Sequence, residues 1–192
     1  MKINENDKKY VKNFYGKLCD LCDILDEKEI WNTPDYPAFS LREVFRHDLA
    51  EFMMYLSSSD GYITEEEAAF FTAVTGYNGD LGKLAAYVEN NDIYSAKFES
   101  ETPLIIRIVS ECERNMGKNS IFCNVNKSLS ELFSEFFSMV GKVLISVDKE
   151  VACPETEDLN IYRITIDSYI NKNSPKMEDS YNLIDMLRFE TA

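Results

Sequence analysis

Apolar side chains recur at three- and four-residue steps along most of this chain, and that rhythm predicts helices. Val11, Phe14, Tyr15, Leu18, Cys22 and Leu25 form one stripe, the inner face of a first helix. Pro34 and Pro37, within Asn32 to Pro37, then break the pattern, because each fixes its own φ and disfavours helix just before it. A second helix opens where Ser40 can cap free backbone N–H groups while Glu43 reaches back, and Leu41, Phe45, Leu49, Phe52, Met53 and Leu56 line its inner side. Thr64 and Glu67 repeat that capping pattern ahead of Phe70, Phe71 and Val74, and Gly76 marks the stop.

Further helices follow: a short one around Leu81 to Val88, and one behind Pro103 carrying Leu104, Ile105, Ile108 and Val109 that fades near Gly117. The most apolar helix carries Leu129, Leu132, Phe133, Phe136, Phe137, Val140, Leu144 and Val147. Pro154 sits in the first turn of a last long helix with Leu159, Tyr162, Ile166 and Ile170 inward, and the tail beyond Pro175 is expected to add one short helix. No stretch alternates with a period of two, so the expectation is an all-α bundle of seven to eight helices in one domain over 1–192. Its parts are a helix over 5–30, a hairpin over 40–76, connecting helices over 79–117, a second hairpin over 128–172 and a tail over 175–192.

The two hairpins echo each other. One shift of 88 residues takes Ser40-Leu41-Arg42-Glu43-Val44-Phe45 onto Ser128-Leu129-Ser130-Glu131-Leu132-Phe133. It also takes Leu56 to Leu144, Asp60 to Asp148, Ile63 to Val151 and Glu67 to Glu155, without a gap. Each half reads as a capped amphipathic helix, an acidic turn, and another helix. An internal duplication is the expectation.

Two such turns, Asp60-Gly61-Tyr62-Ile63-Thr64-Glu65-Glu66-Glu67 and the looser Asp148-Lys149-Glu150-Val151-Ala152-Cys153-Pro154-Glu155, resemble those of the tellurite-resistance TerB-like family. The resemblance covers about residues 40 to 172, and Lys149 departs from it by replacing the glycine. It implies a non-enzymatic bacterial cytoplasmic protein linked to stress and to metal or oxyanion response. It also implies metal binding by acidic residues, here Asp60, Glu66, Glu67, Asp148, Glu150 and Glu155.

Physical chemistry leaves two readings of Asp60. A carboxylate at the C-terminal end of a helix meets partial negative charge. Its oxygens can offset that by accepting N–H bonds from the next helix in a local turn. Alternatively, a hard divalent cation, calcium or magnesium, bridges Asp60, a freed carbonyl and Glu67. Gly61 would supply the left-handed residue between the helices. A full EF-hand is excluded: placing Gly61 at the sixth loop position puts Leu56 at the first ligand position, and leucine cannot ligate.

Charge narrows the partners. Thirty-four acidic against 20 basic residues give a net charge of −14, a field that repels nucleic acid and anionic lipid and suits cations or a basic protein surface. The longest apolar run, Phe136 to Val147, is interrupted by Lys142 and too short to span a bilayer. The first residues lack the apolar stretch of a secretory signal, and five irregularly spaced cysteines suit a reducing compartment, so a cytoplasmic location is expected.

Cys19 and Cys22 form a CxxC, but within a helical stripe beside Asp20 and Asp23, where packing is the better reading than redox chemistry. His47 is the sole histidine, which removes most His-based catalysis, and no phosphate loop, HExxH or Gly-x-Ser-x-Gly is present. Tyr162 and Tyr169, with Ile166 and Ile170, form either core or a docking groove. The function expected is a non-enzymatic binding or sensor module, with an adaptor for a protein partner, its turns purely structural, as the alternative.

Overall fold

The structure is a computed structural model that describes residues 5–27, 40–57, 59, 63–76, 102–116, 128–146 and 153–173. Six helices occupy them: α1 (Glu5–Glu27), α2 (Leu41–Ser57), α3 (Glu65–Thr75), α4 (Leu104–Met116), α5 (Leu129–Ile145) and α6 (Cys153–Asn173). No strand occurs among the described residues, and the class is all-α. The expected short helix at 81–88, Val147 and the expected tail helix lie outside the described residues, so six helices stand where seven to eight were expected.

The starts of the central helices are set as the sequence patterns require. Glu43 N–H donates to Ser40 Oγ at 3.2 Å while Ser40 N–H donates to Glu43 Oε2 at 3.2 Å. Thr64 and Glu67 make the same reciprocal pair at the start of α3, and Ser128 and Glu131 at the start of α5. At the far end of α3, Gly76 takes φ 68°, a left-handed stop that glycine adopts without cost.

A second tier of capping crosses between helices. Asp26, near the end of α1, accepts the Leu41 N–H at 3.0 Å, and Glu113 of α4 accepts the Leu129 N–H and, at 2.9 Å, the Ser130 hydroxyl. The first N–H groups of a helix have no partner within it. Here the preceding helix supplies that partner in both halves of the chain. Arg42 adds an ion pair from the first turn of α2 to Asp23 of α1, half exposed and therefore of small energetic weight.

The shift of 88 residues can be laid on the helix bounds. It takes Leu41 to Leu129, Ser57 to Ile145 and Glu65 to Cys153, so α5 has both bounds of α2 and α6 starts where α3 does. Packing repeats as well. α1 packs on α2, α3 and α5; α4 packs on α5, α6 and α2; α2 holds α3 as α5 holds α6. Two contacts are not matched equally: α1 packs more fully on α3 than α4 does on α6, and α2 meets α6 without a comparable contact of α5 with α3.

Phe45 and Phe133 occupy matching positions in α2 and α5 and meet each other, rings 4.9 Å apart and edge to face at 87°. Phe52 meets Phe137 further along at 5.3 Å. Gly141 then lies against Leu56, so the two helices run side by side in the same direction. Phe14 and Tyr15 close this aromatic seam from α1, and Tyr162 stacks on Phe52 at 4.5 Å from α6. Each such ring removed from water contributes roughly 1.5–3 kcal/mol. Tyr162, Ile166 and Ile170 are buried and Tyr169 packs against the core, so the core reading of that face holds.

Gly141 is where α5, α6 and α2 approach most closely. A Cβ there would stand 2.5 Å from Leu159 Cδ1 and 3.2 Å from Leu56 Cδ1, and both leucines are buried. Overpacking of this kind costs about 1–3 kcal/mol, against a gain of about 1 kcal/mol from replacing helical glycine by alanine. Gly141→Ala is therefore expected to lower unfolding stability by about 1 kcal/mol in a urea titration. A stabilised variant would show that Leu159 has room the packing does not reveal.

Candidate functional site

The two acidic turns follow α2 and α5 in sequence, and because those helices run in the same direction their last residues lie at the same end of the bundle. Ser59, just beyond α2, donates its hydroxyl to Asp158 Oδ2 at 2.6 Å, tying the first turn to the opening of α6, the helix that follows the second turn. The Tyr55 carbonyl lies 3.2 Å from the same hydroxyl. With a single proton to give, Ser59 serves the closer carboxylate.

Of the six expected ligands, Asp60, Asp148 and Glu150 lie outside the described residues. Glu66 is exposed in the first turn of α3. Glu67 is buried at 2% exposure, with Oε2 accepting from the Thr64 N–H at 2.7 Å and the Thr64 hydroxyl at 2.9 Å. Its carboxylate thus works as a helix cap. Glu155, the matching residue in the second half, is buried to the same 2% in the first turn of α6. The structure therefore separates the set into inward carboxylates, Glu67 and Glu155, and the outward Glu66.

The electrostatics of the described acids centre on Glu113. Burial pushes its carboxyl up to about 7, against the opposing pull of the Leu129 N–H and the Ser130 hydroxyl and N–H, with the Glu131 charge raising it further. Charge on this cap is tolerated only partly.

Three cysteines are described with their surroundings. Cys19, Cys22 and Cys112 are buried, and burial raises all three thiols, Cys112 to about 12. A thiol nucleophile needs the opposite shift. The packing reading of the CxxC fits these surroundings.

His47 is 63% exposed on α2, with Nε2 3.8 Å from Glu51 Oε1 one turn on. Asp48, beside it, accepts the Ile105 N–H at the start of α4 at 2.7 Å. His47, Asp48 and Glu51 form a compact set whose ligand atoms lie within 4.8 Å of one another. The sequence places His47 beside Asp48 on the second helix, and the four-residue spacing that puts Glu51 on the same face as His47 is the signal that would have completed the group. Asp26, Glu113 and Asp158 were missed for another reason: their partners lie 15, 16 and 99 residues away, beyond any local pattern.

The Glu113 cap generates a pH prediction. A carboxyl whose folded pKa is raised from 4.5 to about 7 contributes stability that is full below the unfolded value and lost as pH rises through the folded one. Wild-type stability minus that of Glu113→Gln, measured by urea unfolding, should fall between about pH 4.5 and pH 7 by on the order of 1–3 kcal/mol. Glutamine keeps an acceptor for the Leu129 N–H, so the cap itself survives the substitution. A difference constant with pH would contradict the burial cost assigned to Glu113.

No protein-family model, no curated protein and no solved structure matches this chain.

Proposed function

We propose that this chain is a TerB-like helical module made by duplication of a three-helix unit, and that it works without catalysis, as a bacterial cytoplasmic binding or sensor protein in stress or in metal and oxyanion response. Its site is the acidic end of the bundle, where Asp60, Glu66, Asp148 and Glu150 bind calcium or magnesium weakly. Glu67 and Glu155 brace the turns from inside.

One observation supports the reading most. The matched bounds of α2 and α5, with Phe45 on Phe133 and Phe52 on Phe137, bring to one end of the bundle the two helix ends from which the acidic turns continue. Two turns that diverged could not share a cation; two that emerge together can, since a hard cation takes six or more oxygens and rarely finds them on one short turn. The net charge of −14 draws cations to such a surface. No helix among the described residues is long and apolar enough to cross a membrane.

The adaptor reading is favoured by the Glu67 geometry, because a carboxylate committed to a capping box makes the turn structural. Ile161 and Ile164 stand exposed on α6, at 40% and 66%, as apolar side chains such a protein could present.

Thermal melts separate the two. A cation held by the folded state at ten times its dissociation constant adds about 1.4 kcal/mol, a rise of roughly 3–6 °C for a chain of this size. Millimolar calcium or magnesium should raise the midpoint of the wild type and leave the Asp60→Asn, Asp148→Asn double variant unchanged. No rise, or an equal rise in both, contradicts the cation reading and leaves the adaptor.

A further inference from the structure

We propose a second cation site, distinct from the acidic turns, in which His47 Nε2, Glu51 and Asp48 on α2 hold one borderline transition-metal ion of the zinc class. His47 lies ten residues before the end of α2 at Ser57, about 15 Å along the helix axis from the turns. The site does not rest on the turn reading.

The geometry begins with the helix. Residues four apart stand one turn apart on the same face, and His47 Nε2 lies 3.8 Å from Glu51 Oε1. Ligand atoms at about 2.0–2.2 Å from a shared zinc ion are roughly 3–4 Å from each other. That pair therefore accepts an ion with only a small rotamer adjustment. Asp48 brings the third atom, and all three lie within 4.8 Å of one another.

The surroundings hold two of the three ligands in place. Asp48 Oδ2 accepts the Ile105 N–H at 2.7 Å, which fixes the carboxylate from the start of α4. A carboxylate has lone pairs for several partners, so this bond orients Asp48 without using up its ligating capacity. Glu51 is only 16% exposed, so less of its freedom is lost on binding than at an open surface. Behind them stands α6. Tyr162 of α6 is buried and stacked on Phe52 of α2. His47, 63% exposed, closes the set from the solvent side.

The donor types select the metal. One imidazole with two carboxylates suits zinc, manganese or nickel, whereas calcium and magnesium prefer oxygen alone. Three protein ligands leave at least one position for water. Formal charge favours binding too, since two carboxylates meet a divalent ion and outweigh the positive end of α4.

Because His47 is the only histidine, its imidazole signals report on this site and no other. The untagged full chain is titrated with zinc chloride and followed by NMR of the imidazole carbon-bound protons. The wild-type signals should move and saturate at one equivalent. Glu51→Gln and Asp48→Asn should each weaken the effect by about tenfold or more, the scale on which a ligand or its orienting partner is felt. The Asp60→Asn, Asp148→Asn double variant should behave as wild type, which separates this site from the turns. Imidazole signals that stay unmoved through several equivalents overturn the proposal. So does an equal response in Glu51→Gln, which would mean an adventitious ion on His47 only.

Discussion

The fold turns on the meeting of Phe45 with Phe133. These rings occupy equivalent places on α2 and α5 and sit edge to face at 4.9 Å, where the positive edge of one ring meets the negative face of the other. Around them Phe52, Phe136, Phe137, Tyr15 and Tyr162 complete a seam to which four helices contribute. With α2 and α5 parallel at that seam, α1 and α4 must each bridge to the other half's central helix, and both do. The same constraint brings the last residues of α2 and α5 to one end of the bundle.

Polar groups inside the described structure serve the helices first. Glu67 and Ser128 sit in capping boxes, and Asp26 and Glu113 reach across to the first N–H groups of α2 and α5. Burying a carboxylate is costly unless its oxygens are bonded, and helix starts provide N–H groups that need an acceptor. Each satisfies the other. Glu113 shows the balance running close, since its burial outweighs three hydrogen bonds and pushes the carboxyl up to about 7. Exposed acids share that duty, since Glu43 and Glu131 cap α2 and α5 from the surface.

Much of this was legible in the sequence because it is local. Capping boxes are written three residues apart, so the starts of α2, α3 and α5 were read correctly at Ser40, Thr64 and Ser128. Apolar steps of three and four identified the inner faces, and Phe45, Phe133, Phe136, Phe137 and Tyr162 are buried as their positions require. The same capping pattern that located α3 also assigns the Glu67 carboxylate its bonds to Thr64. What stayed illegible is tertiary. Nothing near Ser59 announces Asp158, and nothing near Leu129 announces Glu113, because both partners arrive by folding. His47, Asp48 and Glu51 were readable as neighbours on one helix, but the bond from the Ile105 N–H to Asp48 was not.

The seam itself is tested most directly by a double-mutant cycle on its central pair. Phe45→Leu, Phe133→Leu and the double variant keep much of the apolar volume while removing the ring-to-ring geometry. Unfolding energies from urea titration should show a favourable coupling of about 0.5–1.5 kcal/mol between the two positions. Additivity within about 0.3 kcal/mol would mean that the rings are merely neighbours, and would contradict an account in which their contact joins the two halves.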